Sequence, residues 1–530
     1  MQPEQLLAQA IRHHRQHELR HAEALYREVL NREPGNASAL NLLGLLAYQT
    51  GHSPAAQELI HQALAQRPDY AEAHNNLGMI YQDTGQVDLA LQHYQQAVLL
   101  APQLAEAHTN VGGIFHVRGA FEQALIHYRQ ALSLQPNLAT AHNNVGVIHL
   151  EQGQFADAMT HFERATALDA RFAEAFNNLG NAHKCLGHFA QALSAYELAV
   201  SLDANFTLAR WNRALIYLLQ HNFRVGWSEY DWRLLTKEHF QRAFPFPAYA
   251  GEPLEGKTLL VYAEQGIGDE IFFARWLPCI LVSGARIIVD CDARLVPLLK
   301  RSFPEITFHG GLKQAPTDWI RHHAPIDFAI SIGSLPRYFD SDTPTSRNAY
   351  LKTDAGRVAH YKRRLDELGT GLKVGISWRG GKTSHDRGER KTSLLQWQSL
   401  LTMPGIDFIN LQYGDCSQDL AEIKQQFGVT IHHFTDIDAL QNLDDFAHLV
   451  SGLDLVISIA NANVHLAGAL GQAVWALIPL SPDFRWGITG HDAPWYPHVH
   501  LFRQQKLGEW ESVIGEIANQ ARKEIESRAS

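Results

Sequence analysis

The sequence predicts an α-helical repeat followed by a pair of α/β lobes, on three observations. A 34-residue period runs through the first half, strand-like and helix-like segments alternate through the second, and a Pro- and Gly-bearing stretch, FPFPAYAGEPLEG, lies between the two textures. With 530 residues, 45% of them apolar and 10% aromatic, the chain suffices for two to four cored domains at about 150 residues each.

Net charge is −10 and no dense run of Lys and Arg occurs, which argues against a phosphate-tracking surface and predicts no nucleic-acid partner. The opening MQPEQLLAQAIRHHRQ lacks the apolar stretch of a signal peptide. Nowhere do about eighteen apolar residues follow one another, so no membrane insertion is expected. Cys185, Cys279, Cys291 and Cys416 are scattered without a C-x-x-C pair, as suits a reducing cytoplasm and not structural zinc.

The repeat is open in four stretches, from Ala71, Ala105, Ala139 and Ala173, with weaker copies from Ala37 and Thr207 and a degenerate one over residues 3–36. Gly78, Gly112, Gly146 and Gly180 allow two helices to approach, as do Ala90, Ala124, Ala158 and Ala192 on the second helix. Pro68, Pro102 and Pro136 end each helix pair. Helical hairpins of this kind bury their faces only by stacking. With the aromatics Tyr81, Tyr94, Phe115 and Tyr128 at matching places, residues 3 to about 234 resemble the tetratricopeptide repeat.

At the sixth position of successive repeats stand Asn76, Asn110, Asn144, Asn178 and Asn212. A carboxamide donates and accepts together, so a column of them suits an extended peptide backbone whatever its side chains. The alternative is that each Asn caps or packs its own hairpin. Here the repeats also resemble the O-GlcNAc transferase superhelix, whose asparagine ladder at this position holds the polypeptide acceptor, which implies an acceptor-binding role for these five. His74, His108 and His142 recur too, but hairpins stack about 8–10 Å apart, too far for histidines of successive repeats to share a metal. They are expected to line the groove or pack.

Trp227, Tyr230 and Trp232 read as the aromatic cap of the last hairpin. Beyond the linker, TLLVYA, ARIIVDC and DFAISI read as strands with helices from about Asp269 to Val282 and around RLVPLLKRS between them. LKVGISW, IDFINLQ, DLVISIA and AVWALIPL form a second strand set, with helices LLQWQSLL and VHLAGALG. Such alternation implies parallel sheets whose sites lie at the strands' C-terminal ends.

VYAEQGIGDE, residues 261–270, follows the first strand with Gly266 and Gly268, but the third glycine of a dinucleotide fingerprint is replaced by Ile271. Asp269 at a helix start would repel a pyrophosphate. A carboxylate kept ionised there by the helix dipole and loop N–H groups is suited to take a proton, so Asp269 is the candidate general base, with a plain N-cap as the alternative. In the second lobe, SWRGGKTSHDRGERKTS (377–393) carries Arg379, Lys382, Arg387, Arg390 and Lys391, cations able to neutralise a departing phosphate; a solvated surface loop is the alternative. ISIANANVHLAGALG places His465 at a strand-to-helix turn whose free N–H groups suit a nucleotide phosphate. Asp290 and Asp292 form a D-x-D, but at a strand end where a metal motif is not expected.

VYAEQGIGDEIFFARWLP, VGISWRGG, LDLVISIANANVHLAGALG and PDFRW...DAPWYPHVHLFRQ together resemble the heptosyltransferase-like glycosyltransferase domain of bacterial tetratricopeptide-repeat proteins, over about residues 250–510. The resemblance implies a GT-B fold and an inverting, metal-independent transfer from a nucleotide sugar, without further cofactor. The base of its Gly-Asp loop falls on Gly268-Asp269. Its donor-binding pattern falls on Trp378, Arg379 and Gly380, with Lys382 beside them, and on Asn463, His465, Leu466 and Gly468. One departure is Ala460-Asn461, where the family usually has an acid followed by Thr or Ser.

The expected organisation is a solenoid over 1–235, a linker over 236–256, a first Rossmann-like lobe with the base over 257–360, a second with the donor site over 361–507, and a C-terminal helix over 508–530. The expected function is a cytoplasmic protein O-glycosyltransferase moving a sugar to Ser or Thr of a protein acceptor, with flagellin or another surface protein suggested by family analogy. The alternatives are a non-catalytic adaptor with a degenerate transferase domain, which Ala460-Asn461 favours, and a lipopolysaccharide-type sugar transferase.

Overall fold

The structure, a computed structural model, describes residues 1–236, 242, 244–311, 319–320, 325–339, 348–380 and 392–529. It divides into two compact units, Met1–Leu179 and Gly180–Ser530. The unit boundary therefore falls inside a repeat and not at its end.

Fourteen helices run from Pro3–Arg15 to Phe223–Tyr230. Helices at the first position of a repeat have 13 residues, from Ala37–Gln49 to Thr207–Leu219. Second helices have 14, except the last, Phe223–Tyr230, with 8. The turn between the two helices closes on a left-handed residue, as at Gly85 (φ 78°) and Gly119 (φ 72°), where glycine adopts at no steric cost what other residues resist. The two outlying repeats put His17 and His221 there instead, at φ 58° and 62°.

The period's small residues have a specific partner. A Cβ on Gly78, Gly112 or Gly146 would come within 2.6, 2.6 and 2.7 Å of the rings of Tyr94, Tyr128 and Phe162. Each glycine thus admits an aromatic ring from the second helix of its own repeat. Those rings are almost wholly buried, as are Ala90, Ala124 and Ala158 beside them.

The second unit holds two parallel sheets. In the first, β1 (Thr258–Tyr262), β2 (Arg286–Cys291), β3 (Thr307–Gly310) and β4 (Phe328–Ser331) lie in the order β3-β2-β1-β4. In the second, β5 (Leu372–Ser377), β6 (Ile406–Asn410), β7 (Ile431–His432), β8 (Leu455–Ile459), β9 (Val474–Ile478) and β10 (Val499–Arg503) lie in the order β10-β9-β8-β5-β6-β7. Every pairing of these strands is parallel. The short β3 and β7, and the five-residue β10, escape the sequence reading. The helix expected over 269–282 is two helices, Ile267–Phe273 and Leu277–Leu281, joined by a 3-10 turn, with Pro278 in the first turn of the second. Pro278 lacks the N–H that would continue the first.

The last helical hairpins share one apolar core with both lobes, in which Trp227 is buried. Its ring stands edge-on to those of Trp276 (5.9 Å), Phe484 (5.6 Å) and Trp495 (6.5 Å). The expected aromatic cap is thus a joint. Arg233, wholly buried in the turn that follows, donates through Nε to Oε1 of Glu264 at 3.0 Å and through Nη2 to the hydroxyl of Ser331 at 2.9 Å. It also reaches Asp231 Oδ1 at 3.0 Å. A buried guanidinium is tolerable only when its donors are matched in this way. The pairing holds the loop after β1, which carries Glu264 and leads to Asp269.

Candidate functional site

On the first lobe, β1 delivers the chain to Gly266, the N-cap of helix Ile267–Phe273. Oδ2 of Asp269 accepts the Gly266 N–H at 2.9 Å, so the N-cap is Gly266 and Asp269 braces it from the third helical position. Its other oxygen accepts from Nη2 of Arg485, in the second lobe. Arg485 also donates through Nη1 to Asp483 Oδ1 at 2.8 Å. Burial works against the charge on Arg485, but the carboxylates of Asp483 and Asp269 outweigh it and its pKa is raised. Asp269 is about a quarter exposed and Arg485 nearly closed off.

On the second lobe, carboxamides tie the strand ends together. Oε1 of Gln412, just past β6, accepts from the Ser377 hydroxyl (3.2 Å) and from the N–H groups of Trp378 (3.0 Å) and Arg379 (2.8 Å). Asn461, just past β8, donates to Ser377 Oγ at 2.9 Å and to the Arg379 carbonyl at 3.2 Å, while its oxygen accepts the Asn463 N–H at 2.9 Å. Asn461 is thus the N-cap of helix Ala462–Ala469 and a strut for the loop after β5.

The other candidates are placed as follows. The Trp378 side chain lies in the second-lobe core, 1% exposed, its ring N–H donating to Asp419 at 3.1 Å. Arg379 pairs with the same carboxylate at 3.1 Å and reaches the Asp415 carbonyl at 3.0 Å. Gly380 begins the cationic loop, whose Lys382, Arg387, Arg390 and Lys391 lie outside the described residues. Asn463 donates to the Leu411 carbonyl at 2.9 Å. His465 stacks on Trp486 at 5.1 Å, with Nδ1 3.1 Å from the Tyr496 hydroxyl. Leu466 is core, and Gly468 makes room for Tyr496, whose ring a Cβ would meet at 2.7 Å. The side chains of Asn463 and Leu466 therefore support the turn from inside the fold.

The two lobes' loops meet. A Cβ on Gly268 would stand 3.4 Å from both Cα of Ala462 and Cδ2 of His465, so the Gly-Asp loop abuts the start of helix Ala462–Ala469. Close by, at the C-terminal ends of β6 and β7, lies a cavity of about 400 Å³, within the range of small-molecule sites. Asn410, Gln412, Asp415, His433, Thr435 and Asp438 are among its polar lining, with Phe434 and Phe446 apolar. Asn410 Nδ2 lies 2.9 Å from His433 Nδ1; an amide donor there places the His433 proton on Nε2. Arg294 of the first lobe donates to the carbonyl of the rim residue Leu440 at 3.1 Å. None of these lining residues was singled out from sequence; the available signal was the N-L-Q run at the end of β6, at the same sheet end as S-W-R-G.

Asn76, Asn110, Asn144 and Asn178 are half-buried on first-position helices of the first unit, and Asn212 is half-buried on Thr207–Leu219 in the second. The carboxamides are partly engaged. Asn76, Asn110 and Asn178 each donate to a buried asparagine one repeat earlier, Asn41 (3.0 Å), Asn75 (2.9 Å) and Asn143 (3.0 Å). The Asn144 oxygen accepts from Asn143 at 3.5 Å. Buried Asn41, Asn75 and Asn143, at the fifth position of the repeat before, thus orient three of these carboxamides.

Fold and repeat together define a helical-repeat protein with a C-terminal parallel α/β region. Residues 7–55, 69–137, 103–171 and 173–206 match the tetratricopeptide repeat family, so the N-terminal half is built of such repeats. The chain is similar to Protein FlbA of Caulobacter vibrioides, 35% identical over 329 residues, 58% of this chain and 54% of that protein. It thus spans about half the length of this curated relative. Solved repeat structures resemble parts of it. The Cut9 complex with Hcn1 is 19% identical over 40% of this chain and 42% of its own, with TM-score 0.38. PilF of Pseudomonas aeruginosa is 20% identical over 38% and 90%, with TM-score 0.34. Among the described residues no helix is long and apolar enough to cross a membrane.

Proposed function

We propose that this chain is an inverting glycosyltransferase that moves a sugar from a nucleotide donor to a Ser or Thr hydroxyl of a protein segment held by its repeats. The observation that carries this is the meeting of the Asp269 loop with the start of helix Ala462–Ala469 between the lobes, near a cavity of about 400 Å³. The nucleotide occupies that cavity, where Asp438 and the Asn410, Gln412 and Thr435 groups suit ribose hydroxyls and base edges. The acceptor oxygen attacks the anomeric carbon from the face opposite the phosphate. The C–O bond to phosphate breaks with its electron pair, and the hydroxyl proton passes to Asp269. Arg379 and the cationic loop that begins at Gly380 stabilise the leaving diphosphate.

Calorimetric titration with UDP-, GDP-, ADP-, dTDP- and CMP-linked donors in EDTA tests the donor half. One donor is expected to bind, and Arg379→Ala to weaken it by about 1.5–3 kcal/mol, one charge-assisted contact. A second reading, a protein-binding adaptor, is favoured by one observation: Asp269, Trp378, Asn461 and Asn463 all spend hydrogen bonds inside the fold. Silence across the donor panel decides for the adaptor.

A further inference from the structure

Three times in the first unit, a histidine on the first helix of a repeat meets a histidine on the second helix of that same repeat. Nδ1 of His74 lies 2.9 Å from Nδ1 of His93, His108 lies 3.3 Å from His127, and His142 lies 3.2 Å from His161. On the other side of each first-helix ring, Nε2 lies 3.1, 3.0 and 3.1 Å from the carbonyl oxygens of Pro68, Pro102 and Pro136. A carbonyl only accepts, so Nε2 carries the proton and Nδ1 offers a lone pair toward the second histidine. Behind the second rings stand Tyr81, Phe115 and His149, at centroid distances of 5.4, 5.7 and 5.5 Å. Tyr81 in turn contacts His61 Nε2 at 3.2 Å.

We propose that each pair is a two-histidine site for a divalent transition metal ion of the Zn2+ type, with water completing the coordination. Two nitrogens at about 2.0–2.1 Å on one tetrahedral ion stand about 3.3 Å apart, so the pairs are already spaced for it. Imidazole nitrogen suits Zn2+, Ni2+ and Cu2+. A carbonyl behind a ligating ring fixes its tautomer and aims its free nitrogen, the place Pro68, Pro102 and Pro136 occupy. On binding, the Nδ1–H bond of His93 breaks, its proton passes through solvent to Nε2 of the same ring, and both Nδ1 lone pairs bond the ion; no net proton is released. Among the described residues no group of three or more His, Cys, Asp or Glu gathers around one point, so each site keeps open, exchangeable positions. The repeat from Ala37 has Leu40 and Leu59 at the paired positions, and the repeat from Ala173 has Phe176 and Ala195. The repeat from Ala173 brings His183 and His188 together instead, Nδ1 to Nδ1 at 3.4 Å within its turn and not at the paired positions. Three sites of the paired arrangement are therefore expected, and their binding does not depend on sugar transfer.

The test is a calorimetric titration of the EDTA-stripped full-length chain with Zn2+, with the visible absorption of Co2+ as second readout. Wild type is expected to take up three equivalents, each of His93→Phe, His127→Phe and His161→Phe two, and the triple variant none at that affinity. The Co2+ bands should fall in the same steps. Thermal melts establish that the variants are folded; if the triple variant is not, the single variants decide in the same way. No uptake by wild type, or single variants that retain all three equivalents because other histidines bind the ion, overturns the proposal.

Discussion

Arg485 of the second lobe donates to the carboxylate of Asp269 of the first, across 216 residues of sequence. The same carboxylate braces Gly266, the N-cap of helix Ile267–Phe273. One side chain therefore joins the lobes, braces a helix start and stands as the proposed base.

Those roles separate under substitution. Asp269→Asn keeps an acceptor oxygen for the Gly266 N–H but removes basicity. Transfer should fall by roughly 10²- to 10⁴-fold with donor affinity unchanged. Arg485→Gln removes the guanidinium that orients Asp269, so it should lower kcat and leave donor affinity in place. Full turnover by Asp269→Asn, with chemistry shown to limit the rate, would leave Asp269 a brace for the helix start alone.

The asparagine column divides in a similar way. Asn178 donates to the buried Asn143, so Asn178→Ala strands an acceptor and should cost about 1–3 kcal/mol of stability besides any loss of binding. The contact of Asn144 with Asn143 is long, at 3.5 Å. Asn144 also stands against the buried Tyr128 hydroxyl. Asn144→Ala should lower the melting temperature less than Asn178→Ala does, yet should weaken a long protein acceptor by about 1–3 kcal/mol, the worth of two backbone hydrogen bonds. Urea unfolding and acceptor kcat/KM measured side by side check this. Equal kcat/KM in Asn144→Ala and wild type would move recognition to another face.

The histidine pairs make the metal-free repeats acid-sensitive. Burial, then the neighbouring His74, holds His93 down to about 4 from an ordinary 6.5. Burial, then His142 and His149, does the same for His161. Between those values the unfolded chain binds more protons than the folded one, so stability rises with pH there. It is fully present above about 6.5 and is lost as pH falls toward about 4. In EDTA, urea midpoints of His93→Phe/His161→Phe should fall less steeply than wild type across that window. Parallel slopes would show that other groups carry the acid sensitivity.

The 34-residue period, the two-helix unit and the alternation of strands with helices were legible in the sequence because each arises from neighbours along the chain: small residues, turn glycines, helix-ending prolines and runs of buried apolar residues. The loops at the strand ends were legible for the same reason, since Gly266 and Gly268 lie within six residues of the end of β1 and Asn461 lies two past β8. Tertiary structure alone decided what those loops do to one another. Arg485 reaches Asp269, Gln412 and Asn461 brace Ser377 and Arg379, and Arg233 locks Glu264, through contacts spanning 31 to 216 residues. No periodicity records such partners, because a guanidinium or carboxamide can be satisfied by any matching group that folding brings within about 3 Å. The same holds for the histidines: their 34-residue spacing was visible along the chain, but the hairpin turn, not the period, sets His74 against His93.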